Sequence, residues 1–424
     1  MHHPDTGLLH RHILIQKMGK RIRENNNEPF AFGIVRLDQG YQRIRHYRDR
    51  QKVLLYVAAQ RIKDIVGEDF IFQSDRADEF LVILPDIKTE EQVIPFFNML
   101  NEKVSAPHNG PAMDITFGCH MGVALYPSHG DTLEELLENA EIALGIYEKR
   151  HDQGFVYTHE LGEAHIRRRR LETVLSQAVS QGLQGFHIVY QPIVDRQKQI
   201  VSCEALMRWD APDYGAVPPL HFVPIAEENG LINTLGQWIL YNSLLQLKKW
   251  RKHFRQPITV SVNVSAVQLE HLSYLENVEG VLEALGIGGE SLHIEVTEST
   301  LMEDPDGIIA KLDVLRDMGI KIMLDDFGTG YSSLSALHQL PVDILKIAKE
   351  FVDTITTDPR ALEMVRAILQ MAHSYGLTTL AEGVETWEQF DLLVKEGCHY
   401  IQGYIMSPPV AATEFGDRFL KNLK

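Results

Sequence analysis

The chain has 424 residues, with 41 Lys and Arg, 58 Asp and Glu, and a formal charge of −17 with histidine neutral. That acid excess argues against a general nucleic-acid or anionic-membrane binder, but leaves room for a phosphate substrate approached through bound cations. At 44% apolar and 23% charged residues it reads as globular, long enough for two to three domains with their own cores. Cys119, Cys203 and Cys398 are too few and too scattered for a disulfide framework or a zinc site, so a cytoplasmic setting is expected. No apolar run approaches the roughly 18 residues of a membrane span, and no signal-peptide pattern opens the sequence.

Residues 1–158 mix helical and strand patterns. AFGIVRL (31–37) reads as a buried strand, and residues 51–66 as a helix with apolar side chains three and four apart. DFIFQ and ADEFLVILP suggest two strands joined tightly around Ser74–Arg76, and 132–150 a further helix. This block is expected to be an α+β or α/β domain. Residues 159–186 follow as a polar helical linker, with Leu171, Leu175 and Val179 on one face and a solvated basic run at Arg167–Arg170.

From residue 187 the rhythm changes. Strand-like segments at 187–194, 200–209, 258–264, 292–298, 321–327, 343–347, 378–383 and 400–404 mostly alternate with helical ones. Eight such segments over 187–424 predict a (β/α)₈ TIM-like barrel. The link at Asp195–Gln199 is too short for a crossover helix and suits a hairpin, so one barrel strand is expected to be antiparallel.

Barrel strands covered on both faces should read apolar, yet several end in acids or amides. These are Glu204, Asn263, Glu295 with Glu298, Asp325 with Asp326, Lys346, Glu382 with Glu385, and Gln402. In a barrel such ends share one rim, where active sites are built. A single acidic end can be a helix cap, but six or seven on one rim need compensating charge that one lysine does not supply. All-oxygen ligands favour Mg²⁺ or Mn²⁺, and the pair Asp325–Asp326 could serve two ions, the arrangement that suits in-line hydrolysis of a phosphodiester. In DDFGTGYSSLSAL (325–337), Gly328 and Gly330 permit a tight loop, and Ser332 and Ser333 can donate to phosphate.

These residues carry a family resemblance. YQPIVD (190–195), EALMRW (204–209), FVPIAEENGLI (222–232), VNVS (262–265), EVTES (295–299), DDFGTGYSSL (325–334), LPVDILKI (340–347), AEGVET (381–386) and QGY (402–404) together resemble the EAL-domain phosphodiesterases, which hydrolyse cyclic dimeric GMP (cyclic di-GMP) to linear pGpG. The resemblance implies Glu204, Asn263, Glu295 and Asp325 as ligands of a first metal, with Asp325 bridging to a second that Asp326 also binds. It implies that Lys346 holds the attacking water, that Glu382 is general base or second-metal carboxylate, and that Gln402 binds the water or a phosphate oxygen. Gln191, Leu206 and Arg208 would contact substrate, Arg208 at a phosphate. Glu298 would anchor the DDFG loop and Glu385 would support the metal site. A homodimer through this domain is also implied. One departure stands out: the family's LKID is LKIA here, with Ala348 in place of a carboxylate, so reduced turnover is expected.

The first domain resembles the GGDEF diguanylate cyclases through PDTGLLHRHIL (4–14), HMGVALYPSHG (120–130) and NAEIALGIYEKRHDQG (139–154). Its active-site stretches depart from that family. GGDEF is RADEF (76–80), so Arg76 and Ala77 put side chains where two glycines let the backbone approach a nucleotide. The DxD of the first strand is RLD, which sets Arg36 where a cation would bind, and no RxxD stands at the spacing of a product site, Arg61–Asp64 lying too far upstream. The domain is read as catalytically inactive. Asp78 and Glu79 keep weak GTP binding open beside a ligand-free scaffold.

Three functions compete: a metal-dependent phosphodiesterase modulated by a silent cyclase-like domain, a cyclic di-GMP receptor that does not hydrolyse, and an interaction protein without a ligand. The intact polar positions favour the first, Ala348 keeps the second open, and the third leaves those positions without a purpose.

Overall fold

A computed structural model describes residues 2–24, 28–38, 48–107, 117–150, 155–254, 258–298, 300, 305–328 and 340–421. Gly330, Ser332 and Ser333 lie outside the described residues. The chain divides into two compact units, Met1–Arg170 and Leu171–Lys424.

In the first unit, β1 (Leu9–His10), β2 (Phe30–Leu37), β3 (Ile71–Gln73), β4 (Glu79–Leu84), β5 (Cys119–Tyr126) and β6 (Phe155–Val156) form one sheet in the order β1-β3-β4-β2-β5-β6. β2 and β4 are buried along their whole length because helices cover both faces. Alternation sorts the side chains. Ala31, Val35 and Leu37 meet Leu54, Ala58, Ile62 and Phe97 from helices Arg48–Val66 and Glu90–Ser105. Phe30, Phe32 and Ile34 meet Leu14, Met18, Leu136 and Ala140 from helices Arg11–Glu24 and Leu133–Arg150. The last helix lies so close to β5 that a Cβ on Gly122 would sit 2.2 Å from the Ala140 carbonyl oxygen, which requires glycine there.

In the second unit the strands are β7 (Phe186–Asp195), β8 (Ile200–Ala211), β9 (Gly215–Val217), β10 (Thr259–Asn263), β11 (Leu292–Thr297), β12 (Lys321–Phe327), β13 (Ile344–Ile347), β14 (Thr378–Ala381), β15 (Tyr400–Gln402) and β16 (Val410–Ala411). Among the described residues, β8 and β10 to β15 run parallel in succession, and β7 closes the barrel antiparallel to both β8 and β15. This is the TIM-like barrel with one reversed strand. The β7–β8 hairpin turns where expected: Asp195 Oδ1 accepts from the Gln197 and Gln199 amides, both at 2.8 Å, and Lys198 takes a left-handed φ of 64°.

Strand alternation builds the barrel in two skins. Ile294, Val296, Ile322, Leu324, Leu345, Ile347, Ala381 and Ile401 point outward into the large core beneath the surrounding helices. Ile193, Met323, Ile344 and Leu380 point inward, with Val201 and Tyr400 against them, and plug the interior. The barrel is thus a packed core, and chemistry is confined to its rim.

Two details differ from the sequence-based expectation. β8 runs two residues past the expected 200–209, to Ala211, and forms a hairpin with β9, so Glu204 lies in mid-strand rather than at a strand end. The helix His159–Ser180 is polar at its start, but Leu171, Leu175 and Ala178 are buried with Phe186, Trp209 and Phe222. Among the described residues, no helix is long and apolar enough to cross a membrane.

Candidate active site

The two-residue period of the strands decides which side chains reach the barrel interior. Glu295 lies between Ile294 and Val296, Lys346 between Leu345 and Ile347, and Glu204 between Cys203 and Ala205, all outward-facing core residues. Glu295, Lys346 and Glu204 therefore face inward. Gln191, Asn263, Asp325, Glu382 and Gln402 share that parity. Polar side chains from eight successive strands or strand ends thus form a ring above the apolar plug.

Lys346 is the hub. Its buried ammonium pairs with Glu295 and with Glu382, and lies 3.1 Å from Asp325 Oδ1. A second network runs beside it. Gln402 Nε2 donates to Glu204 Oε2 at 2.6 Å and to Gln191 Oε1 at 3.0 Å, while Asn263 Nδ2 donates to Glu204 Oε1 at 2.7 Å. Gln191 in turn donates to the Ser407 carbonyl at 3.3 Å.

The charges do not balance. Glu204, Glu295, Asp325, Asp326 and Glu382 crowd around one ammonium. Like charges about 4 Å apart repel by roughly 4 kcal/mol at an effective dielectric near 20. The carboxyls respond accordingly. Burial, with Glu204 alongside, pushes Glu295 up to about 8 although Lys346 pulls it down. Burial pushes Glu382 up to about 7 against the same pull. Burial alone would discharge Lys346, but Glu295, Glu382, Glu204 and Asp325 outweigh it and hold the lysine well above its ordinary value. Burial and Asp325 raise Asp326.

Two groups of carboxylates are close enough to hold a cation, each with ligand atoms within 4.8 Å of one another: Glu204, Glu295 and Glu382, and then Asp325, Asp326 and Glu382. The donor set fits hard divalent ions. Independently, Glu295 Oε1 and Gln402 Oε1 are buried acceptors without a protein partner, a costly state that an ion or its water would relieve. Asp326 adopts φ 55°, an uncommon backbone for a residue other than glycine, immediately beside this site. Glu298, buried, accepts from the Gly328 amide at 3.5 Å, at the start of the glycine loop. A cleft of about 500 Å³ opens beside the ring, lined by Leu206, Arg208, Asn263 and Glu295 among others. Arg208 is held by the Met207 carbonyl at 2.8 Å.

Glu385 stands apart from the ring: it is half exposed and ion-paired to Lys349. Sequence reasoning missed Lys349 and Gln389. The capping pattern of Thr386 with Gln389 was visible, but not the carbonyls that the Gln389 amide reaches elsewhere.

The first unit has a different arrangement at the corresponding motif. Arg36 and Glu79 are direct cross-strand partners on β2 and β4. Both are buried, and Arg36 Nε and Nη2 donate to Glu79 Oε2 at 3.0 and 2.7 Å. Ser74 donates to Glu79 Oε1 at 2.6 Å. The glutamate of RADEF is therefore satisfied by a guanidinium and a hydroxyl.

Both units match known domain families. Residues 173–409 match the EAL domain family, and residues 1–153 match the GGDEF domain of diguanylate cyclases. The chain belongs to the EAL-domain family, in tandem with a GGDEF domain. It is 30% identical over 422 residues to the bifunctional diguanylate cyclase/cyclic di-GMP phosphodiesterase MucR of Pseudomonas aeruginosa, covering 98% of this chain and 61% of that protein. It is 30% identical over 425 residues to the cyclic di-GMP phosphodiesterase PdeR of Escherichia coli K12, covering 99% and 63%. A 34% identical signaling protein of Caulobacter vibrioides, itself uncharacterized, matches over 95% of this chain and 50% of its own length. The chain spans between 50% and 63% of the length of these curated relatives. Among solved structures, the MucR phosphodiesterase in complex with c-di-GMP superposes with a TM-score of 0.55 at 35% identity, over 58% of this chain and 99% of that one. The GGDEF–EAL region of Vibrio cholerae LapD shares the fold, with a TM-score of 0.59 at 17% identity over 96% of both chains.

Proposed function

We propose that the barrel unit hydrolyses cyclic di-GMP to linear pGpG with two divalent ions, Mg²⁺ or Mn²⁺. In this reading the domains divide as 1–158, 159–186 and 187–424, and the first, which makes no dinucleotide, regulates the last through the segment between them. The observation that carries the proposal is the charge imbalance: five carboxylates around one lysine, with the buried Glu295 Oε1 unpartnered. The names of MucR and PdeR support the same reaction.

Glu204, Asn263, Glu295 and Asp325 would hold one ion, and Asp325, Asp326 and Glu382 the other, with Asn263 offering its amide oxygen. Bound ions supply Lewis acidity toward the phosphate and ease deprotonation of a water. The chain's own residues do the rest. Lys346 orients the water and offsets the negative charge that develops on phosphorus. Glu382, paired with Lys346, serves as general base or as the second ion's carboxylate. Gln402 holds the water or a phosphate oxygen, Gln191 and Leu206 line the substrate, and Arg208 takes a phosphate. Glu298 ties the glycine loop through Gly328, and Glu385 acts through Lys349. The protein works in the cytoplasm as a homodimer through the barrel, and its first unit serves as scaffold.

Ala348 favours a second reading, a receptor that binds cyclic di-GMP without cleaving it. Incubation with the dinucleotide and Mn²⁺, followed by chromatography, tests both. Production of pGpG is expected, rising about 10- to 100-fold in Ala348→Asp. Tight binding without product in the wild type would replace the enzyme by the receptor.

A further inference from the structure

We propose that Gln389, assisted by Lys349, is a positioning device that fixes Glu382 relative to Lys346. The catalytic consequence rests on the phosphodiesterase reading, whereas the brace itself rests on local geometry.

β13 and β14 carry these two residues side by side, with Lys346 opposite Leu380 and Ile347 opposite Ala381. The Glu382 amide donates to the Ile347 carbonyl at 3.1 Å, and this extends the ladder by one bond. The ladder then stops, because Gly383 turns the chain with φ +67°. Beyond it the Val384 amide still donates to the Gln402 carbonyl at 3.1 Å on the β15 side, whereas toward the β13 side the loop is held by side chains. Gln389, in helix Trp387–Lys395, is buried. Its Oε1 accepts from the Glu385 and Thr386 amides at 2.8 and 3.0 Å. Its Nε2 donates to the Val352 and Asp353 carbonyls at 3.2 and 3.4 Å. One amide therefore joins the loop after Glu382 to the short helix Lys349–Val352 that follows Lys346, with its donors and acceptor all engaged.

Lys349 adds a second crossing. Its stem lies over Gly383, where a Cβ would come within 2.3 Å of Lys349 Cγ. Its ammonium pairs with Glu385, and with Asp353 at 3.1 Å. Both pairs are half exposed and weak alone, so the buried amide carries most of the constraint. Ala348, buried between strand and brace, offers no polar atom that could do this work.

A helix cap alone would also use Gln389, since Thr386 and Gln389 form a capping box. The two roles separate by substitution. Gln389→Glu keeps the acceptor of the cap and loses the donors to Val352 and Asp353. Thr386→Ala weakens the cap and leaves those donors in place. Gln389→Met, which removes acceptor and donors together without burying a charge, replaces Gln389→Glu should the acid prevent folding, and is then read against Thr386→Ala as the measure of cap loss. In the full chain, hydrogen exchange of the peptide containing Glu382 should quicken about tenfold in the Gln389 variant and stay near wild type in Thr386→Ala. With Mn²⁺ and cyclic di-GMP, kcat should fall about 10- to 100-fold at unchanged KM in the Gln389 variant alone. Equal exchange in the Gln389 and Thr386 variants would overturn the brace, whether or not the wild type turns over. Faster exchange together with a wild type that yields no pGpG would keep the brace and remove the phosphodiesterase reading.

Discussion

The two units answer one electrostatic problem in opposite ways. In the first, a buried glutamate, Glu79, faces a guanidinium of the chain itself, and Ser74 takes its other oxygen. In the second, five carboxylates share Lys346, and one buried oxygen of Glu295 has no protein partner. A site whose charge is closed internally has no use for an ion, while a site left in deficit attracts one. The motif residues alone, an acidic cluster in each unit, do not separate these cases. The number of carboxylates that share the nearest cation does.

Breaking the closed pair should have the largest effect. Arg36→Met leaves Glu79 buried beside a neutral side chain and should cost the first unit about 3–5 kcal/mol, read from denaturant unfolding followed through exchange of β2 and β4 peptides. Loss of less than about 1 kcal/mol would mean that Glu79 simply becomes protonated at little cost. At the open site, Lys346→Met should lower turnover about 100- to 1000-fold, because the charge that offsets the transition state is gone. The same variant should still bind Mn²⁺, since removing a cation strengthens the negative field. Next in size, Mg²⁺ at about 100 times its Kd should stabilise the second unit by roughly 2.7 kcal/mol and leave the first unchanged. A chelator should reverse this, and equal shifts in both units would erase the contrast.

The smallest effect concerns pH in the first unit. His129 is buried, and burial lowers its pKa below 6.5 although Glu90 pulls it up and His159 adds to the lowering. Its Nδ1 accepts from the Leu125 amide at 3.1 Å, so the neutral ring is the bonded form. The unfolded chain therefore binds the extra proton first. Stability is full above pH 6.5 and declines as the pH falls from there toward the folded value. Urea midpoints for His129→Gln should vary less with pH over that window than those of the wild type.

Much of the barrel was legible because strands buried on both faces read as apolar runs, and the polar interruptions marked their rim ends. Glu295 and Lys346 stand out between aliphatic neighbours for that reason. Glu204 misled in position, since it lies in the middle of β8 and not at the strand end that its acidity suggested. The buried half of helix His159–Ser180 was half visible through Leu171 and Leu175, but Ala178 carries no distinctive signal. The Arg36–Glu79 pair depends on the β2–β4 register, which brings together residues 43 apart, and sequence spacing does not reveal it. Gln389 was readable as a cap, and only folding shows the second pair of carbonyls.

The reversed β7 has a mechanical consequence. Phe186 lies opposite Trp209, beyond the level of the Gln191–Glu204 pair, so the chain enters this barrel at its mouth rather than at its far end. His187 lies opposite Arg208 and Gln191 opposite Glu204, with Ile193 and Ser202 deeper. A pull applied ahead of β7 would peel the strand like a zipper, from the doorway inward. Trp209 would lose Phe186 first and Arg208 would lose His187 next, then the Gln191–Gln402 link would be loaded, and the apolar plug would yield last. Tension at that inlet therefore reaches the cleft beside Arg208 before it threatens the integrity of the fold.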